Sequence, residues 1–291
     1  VIVRKPKEDT APLPRRRGRR RFRIIVAAGI IGLLLLTGYI LLLRFFETGI
    51  LKSQQSRRPS PEPSIRIDVG NGKKIAAYYL PALNPRADTV LYSYGNLENL
   101  EGKLELLSEF HRRGYGVIGY DYEGFGSSEG EASLTAALRD ADAVYRYLTQ
   151  TRGVAPERII AVGFSMGSGP ACYLGHRYPL AGVVLEGGLA SVLQVMIPWS
   201  GWPGDLYPNS TWLSQSEVPV LIFHGTDDRV IPYRDAEKNY REAAGRKQLV
   251  PVPGAGHQTI LKTLGKERYF QILSDFFQKN GSRAADKVSG P

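Results

Sequence analysis

From residue 64 onward, short apolar runs rich in β-branched residues alternate with longer segments whose apolar positions recur at helical spacing. Ile65–Val69 and Lys74–Leu80 read as an opening hairpin, because Gly70-Asn71-Gly72 between them suits a tight turn. Further strands are expected at Thr89–Ser93, Gly116–Tyr120, Arg158–Gly163, Ala181–Leu185, Val218–Phe223 and Gln248–Val252. Helices are expected over 98–113, 133–150, 166–177, 233–245 and 263–279. In the second of these, Leu134, Leu138, Ala141, Val144, Tyr145 and Leu148 fall on one stripe, the pattern of a core-facing helix. Strand and helix alternating in this way predict an α/β fold with a mostly parallel sheet flanked by helices.

The chain ahead of this region follows a different pattern. Residues 24–43 carry no charge, and as a helix rising about 1.5 Å per residue they would reach about 30 Å, the depth of a bilayer core. Arginines at 15–17, 19–21 and 23 precede the span, whereas Arg44 alone is followed by Phe45, Phe46 and Glu47. The excess of positive charge predicts a cytoplasmic N-terminus and a body on the non-cytoplasmic side. A cleaved signal peptide fits less well, since the apolar run exceeds the usual length of about 7–15 residues and no Ala-x-Ala site follows. The expected organisation is therefore a basic tail at 1–23, a transmembrane helix at 24–43 and a Pro/Ser-rich linker at 44–63. A domain at 64–281 and a short tail at 282–291 complete it.

Charge sharpens this division. The net +10 arises from 38 Lys and Arg against 28 Asp and Glu, and residues 1–23 hold ten basic and two acidic residues, so +8 belongs to the tail. A body left with only +2 does not suit nucleic acid, and the partners expected are the membrane, through residues 24–43, and a small-molecule or acylated substrate. With 43% hydrophobic residues the 291-residue chain can bury a sizeable core. The lone Cys172 cannot form an intramolecular disulfide and reads as a small buried apolar residue. No metal-ligand cluster, P-loop or dinucleotide fingerprint is present, so no cofactor is expected.

The strongest chemical signal is Gly163-Phe164-Ser165-Met166-Gly167, a G-x-S-x-G sequence set between an expected strand and an expected helix. A sharp turn there would hold the Ser165 hydroxyl above the sheet, with the glycines admitting neighbouring backbone. Such a hydroxyl needs a base to remove its proton and a carboxylate to orient that base. His111 and His176 lie among arginines at helix ends and read as surface positions, and His224 closes a strand, where a structural role is expected. His257, in the glycine-loosened Gly254-Ala255-Gly256-His257 loop after the last strand, is the remaining base. For the carboxylate, Asp227 and Asp228 compete in the loop after the preceding strand, and Glu186 is a third candidate.

The order Ser165, Asp228, His257 resembles that of the α/β-hydrolases. Asp121-Tyr122-Glu123-Gly124-Phe125-Gly126-Ser127-Ser128-Glu129-Gly130 resembles the Asp-Tyr-Arg-Gly-Tyr-Gly-x-Ser-x-Gly loop of single-pass membrane α/β-hydrolase-domain proteins and related depalmitoylases, with Glu123 in place of arginine. His224-Gly225-Thr226-Asp227-Asp228-Arg229-Val230-Ile231-Pro232 resembles their H-G-x-x-D-x-x-V/I-P, in which the fifth residue is the catalytic acid; this resemblance selects Asp228 over Asp227. Tyr94-Gly95-Asn96 resembles their His-Gly-Asn loop, with Tyr94 for histidine, and implies oxyanion donors at the amides of Asn96 and Met166. The resemblance covers about residues 64–280 and implies an α/β-hydrolase fold and a Ser165–His257–Asp228 triad.

The expected function is hydrolysis of a carboxylic ester or thioester through an acyl-enzyme. A serine peptidase of the prolyl-oligopeptidase-like kind would use the same machinery, and a non-catalytic membrane scaffold would keep the fold without the reaction. Residues 191–216, with Trp199, Trp202 and Trp212, are expected to form a short cap, and Asn209-Ser210-Thr211 matches a glycosylation sequon.

Overall fold

The computed structural model describes residues 16–52, 65–70, 72–96, 98–196 and 204–285. The chain divides after Phe46 into two units. Helix α1 (Arg16–Lys52) contains one continuous stretch, Phe22–Leu42, that is long and apolar enough to cross a membrane. Exposed apolar side chains occur all along this stretch, including Ile24, Ile25, Leu33, Leu34, Leu35 and Leu36. No single stripe is set aside for docking on a protein core. The helix continues to Lys52, so the linker expected at 44–63 begins as helix; its remainder lies outside the described residues.

In the second unit, eight strands form one sheet: β1 (Ile65–Asp68), β2 (Lys74–Leu80), β3 (Thr89–Ser93), β4 (Gly116–Tyr120), β5 (Ile159–Phe164), β6 (Gly182–Glu186), β7 (Val220–Gly225) and β8 (Lys247–Val252). Their order is β1-β2-β4-β3-β5-β6-β7-β8. Pairing is antiparallel for β1–β2 and β2–β4 and parallel for every pair from β4 to β8. Gly70 and Gly72 adopt positive φ in the opening turn, where Asp68 Oδ1 accepts the Gly70 amide at 2.7 Å. Every residue of β3, β4, β5, β6 and β7 is buried, as strands covered on both faces require.

The helices are α2 (Leu104–Arg112), α3 (Leu134–Arg146), α4 (Ser168–Arg177), α5 (Val192–Met196), α6 (Asn209–Ser214), α7 (Tyr233–Glu242), α8 (Ile260–Leu264) and α9 (Lys266–Ala285). Alternation along β6 shows how they divide between the faces. Val183 points at Gly175 of α4, whereas Gly182 meets Phe277 and Glu186 meets Tyr269, both of α9. Phe110 of α2 packs edge-on against Phe270 of α9 at 4.9 Å, and Tyr145 of α3 stacks on Tyr178, just after α4, at 3.7 Å. The stripe expected on α3 is inside as foreseen, with Leu138 only half-buried.

Several boundaries differ from the pattern for local reasons. The helix expected over 98–113 begins only at Leu104, because Gly95, Glu98 and Leu100 are held in loop hydrogen bonds. The helix expected over 263–279 is two helices, parted at Gly265, whose φ of 85° breaks the helical path. The segment 191–216 contains α5 and α6, with Trp212 packed on Tyr173 of α4 at 5.7 Å; Trp199 and Trp202 lie outside the described residues.

Candidate active site

Parallel strands deliver their C-terminal loops to one edge of the sheet, and the chemistry suggested by the sequence gathers there. β5 ends at Phe164 and the chain turns at once into α4. Ser165 at that turn has φ 53°, the one non-glycine residue with positive φ among those described. A side chain at Gly163 would strike the Gly167 carbonyl, and one at Gly167 would strike the carbonyls of Ser93 and Tyr94. The glycines of the motif therefore permit backbone contacts that any larger residue would block.

Ser165 Oγ lies 2.8 Å from His257 Nε2, and His257 Nδ1 lies 2.7 Å from Asp228 Oδ2. Asp228 Oδ1 accepts the amides of Val230 at 2.8 Å and Ile231 at 2.9 Å, so both of its oxygens are engaged. Burial alone would raise the Asp228 carboxyl, but hydrogen bonds from His257, Ile231 and Val230 outweigh it and hold the group below the usual carboxylate range. Asp227, the competing carboxylate, is exposed and accepts a hydrogen bond from its neighbour Thr226 at 3.1 Å. The loop thus turns Asp228 inward and Asp227 out.

The other candidates form neither hydrogen bond of this relay, although His224 Nε2 lies 3.4 Å from Asp228 Oδ2. Glu186 is buried and accepts hydrogen bonds from the hydroxyls of Tyr92, at 3.2 Å, and Tyr269; burial raises its carboxyl. His224 is fully buried and donates through Nε2 to the Ile231 carbonyl at 2.9 Å, while burial lowers its basicity. His111 sits at the end of α2 within 3.2 Å of the Tyr115 carbonyl, and His176 is exposed. Cys172 is fully buried, and burial pushes its thiol well up. Asn209, the sequon asparagine, is buried with Nδ2 donating to the Leu189 carbonyl at 2.9 Å and Ser168 Oγ at 3.1 Å.

The loop after β3 reaches the same turn. A Cβ placed on Gly95 would stand 3.1 Å from Ser165 Cβ, so Gly95 lies directly against it, and Asn96 is the next residue in the chain. The arginine position of the loop after β4 is Glu123, which is buried and paired with Arg139 of α3.

Beyond His257 lies a cavity of about 260 Å³, walled by Tyr92, Lys103, Phe164, Glu186, His257 and Tyr269 among others. Lys103 Nζ stands 4.9 Å above the Phe164 ring and pairs with Glu98 at 2.5 Å. Gly187, with φ 55°, places a notional Cβ 3.3 Å from His257 Nδ1 and 3.5 Å from Asp228 Oδ2. The sequence offers no signal for Lys103, whereas the glycine pair Gly187-Gly188 directly after β6 signals the turn that brings Gly187 against His257. Among the described residues, no group of three or more His, Cys, Asp or Glu side chains is placed to hold a metal ion.

The fold and this edge of loops define the class, and the chain belongs to the α/β-hydrolase superfamily. Residues 84–213 match the family described as "Serine aminopeptidase, S33". The "Uncharacterized protein YfhR" of Salmonella typhi is 31% identical over 241 residues, covering 76% of this chain and 82% of that protein. "Alpha/beta hydrolase domain-containing protein 17B" of Xenopus laevis is 32% identical over 196 residues, covering 65% of this chain and 67% of that protein. The esterase EaEST of Exiguobacterium antarcticum superposes with a TM-score of 0.57 over 73% of this chain and 98% of its own, at 18% identity, a likeness of fold.

Proposed function

We propose that this protein is a serine hydrolase that cleaves a carboxylic ester or thioester, with Ser165 as nucleophile, His257 as general base and Asp228 as the acid that orients it. The observation that carries the reading is the unbroken relay of 2.8 Å and 2.7 Å from Ser165 through His257 to Asp228. As Ser165 Oγ bonds to the substrate carbonyl carbon, its proton passes to His257 Nε2 and the carbonyl π electrons move to oxygen. The amides of Asn96 and Met166 receive that oxyanion, a donor of this kind being worth about 10²–10³ in rate. The tetrahedral adduct collapses, the alcohol or thiol leaves with the proton from His257, and an acyl-serine remains. Water then attacks with His257 again as base, releasing the acid and restoring Ser165.

The reading also includes a membrane anchor at residues 24–43, with the N-terminus cytoplasmic and the catalytic domain on the far side. The uncharged stretch and the +8 tail support it. Protease treatment of intact cells or right-side-out vesicles tests this: digestion of the domain from the outside is expected, and full protection would reverse the topology.

The nucleophile is tested with a fluorophosphonate probe, which is expected to label the wild-type protein and to leave Ser165→Ala unlabelled. Equal labelling of both, or of neither, would overturn the assignment. A peptidase reading is favoured by the description of the matching family and uses the same relay. Turnover of p-nitrophenyl esters against aminoacyl amides separates the two, with faster ester cleavage expected. A scaffold without activity would turn over neither.

A further inference from the structure

Tyr94 is where this chain departs from the histidine of the pattern it resembles, and its side chain does not point to the cavity. It is fully buried behind β3, its hydroxyl donating to Asp121 Oδ1 at 2.7 Å. The same oxygen accepts the Leu100 amide at 3.0 Å. One atom of Asp121, at the end of β4, therefore fastens both ends of the run that begins at Tyr94 and closes at Leu100. The residue after Asp121 adds a third fastening, since the Tyr122 hydroxyl donates to the Tyr94 carbonyl at 2.8 Å. The Tyr94 ring meets that of Tyr122 edge-on at 5.0 Å.

What is fastened this way presses on the nucleophile. Gly95 leaves only 3.1 Å between a notional Cβ and Ser165 Cβ, and the carbonyls of Ser93 and Tyr94 fill the space that a side chain on Gly167 would need. The Asn96 amide follows directly. From this geometry we infer that Tyr94 is a positioning residue: its hydroxyl and the Leu100 amide, sharing Asp121 Oδ1, hold the Asn96 amide at the height where the oxyanion forms over Ser165. The inference rests on the proposed reading that Asn96 donates to that oxyanion. Tyr94 acts through the loop and touches no reacting atom.

Removing the hydroxyl leaves the ring packed and the Leu100 and Tyr122 bonds in place, so the Tyr94 end of the loop loses one of its two fastenings. Displacement of a positioning group by about 1 Å can cost about 10²-fold, and loss of a whole oxyanion donor about 10²–10³-fold. Tyr94→Phe in the full-length protein is therefore expected to lower kcat for a p-nitrophenyl ester by about 10- to 10²-fold. KM should stay within about twofold, because the interaction is one that strengthens in the transition state. Asp121→Asn, which can keep an oxygen facing both donors, is expected to lose less, and the double variant to fall no further than Tyr94→Phe.

Labelling with a fluorophosphonate separates this inference from the reading beneath it. A wild-type protein that is not labelled at Ser165 would remove the proposed function itself. If the wild type is labelled and Tyr94→Phe matches it in kcat and labelling rate, the positioning role is wrong and the function stands. If the variant loses labelled sites while each remaining site keeps wild-type kcat, the hydroxyl serves folding alone, which also overturns the role. Full labelling at a slower rate with reduced kcat is the supporting result.

Discussion

His224 Nε2 stands 3.4 Å from Asp228 Oδ2, the same oxygen that His257 Nδ1 meets at 2.7 Å. Two imidazoles thus face one carboxylate oxygen, and the nearer is the one that also reaches Ser165. His224 is kept neutral by burial, which outweighs the Ile231 carbonyl and the Asp228 charge acting the other way. Its ordinary value is 6.5 and the folded value is lower, so on acidification the unfolded chain takes up the proton first. The stabilising contribution of the neutral ring is complete above that pH. It declines as pH falls below it, by at most about 1.4 kcal/mol per pH unit for one proton. Urea unfolding between about pH 8 and pH 5 is expected to show this decline, and His224→Gln, which keeps a donor for Ile231, to flatten it. An unchanged slope in the variant would mean that another group is responsible.

Asp228→Asn is expected to leave the fold in place and lower kcat by about 10⁴-fold, because an amide favours the wrong imidazole tautomer. Asp227→Asn is expected to change kcat by less than about twofold, since that side chain is exposed and, among the described residues, bonded to its neighbour Thr226. The pair is informative because the two residues are adjacent and identical in type. Comparable losses in both variants would contradict the inward turn of Asp228.

That choice marks a limit of what the chain discloses before folding. The alternation of strand and helix was legible because strands covered on both faces must be apolar throughout, as Val220-Leu221-Ile222-Phe223 is. Ser165 was legible because its glycines are needed by backbone packing. Asp227 and Asp228 could not be told apart by position, since which one faces inward depends on amides of Val230 and Ile231 that a linear reading does not orient. The Tyr94–Asp121 hydrogen bond was hidden for a similar reason, its two residues lying 27 apart, at the ends of neighbouring strands. Helix α6 was hidden because Asn209-Ser210-Thr211 shows no apolar stripe, and Asn209 and Ser210 are buried through contacts distant in sequence.

Gly187→Ala tests how tightly the relay is packed. A non-glycine residue at its φ of 55° costs about 1–2 kcal/mol, and the added methyl would press on His257 Nδ1 from 3.3 Å. The ring is hydrogen-bonded on both sides and can yield only by lengthening one of those bonds. Activity is expected to fall by about tenfold, with KM nearly unchanged. Kinetics measured beside a denaturant midpoint decide the matter: a lowered midpoint with wild-type kcat would show that the turn tolerates a side chain.

Asn209 completes the sequon pattern and yet is expected to carry no glycan. Its Nδ2 donates to both the Leu189 carbonyl and Ser168 Oγ, and its side chain is buried, so the nitrogen that would be modified is already committed. Ser168 in turn donates to the Ser165 carbonyl at 2.6 Å and accepts the Leu189 amide at 3.2 Å, which ties the asparagine to the strained turn at Ser165. Asn209→Ala should therefore remove a buried donor from a shared acceptor and destabilise the protein by about 1–3 kcal/mol. Expression in a eukaryotic secretory system is expected to give a protein whose electrophoretic mobility is unchanged by an amidase that removes N-glycans. A mobility shift that Asn209→Ala abolishes would show that the sequon is modified before α6 docks, and that burial comes too late to protect it.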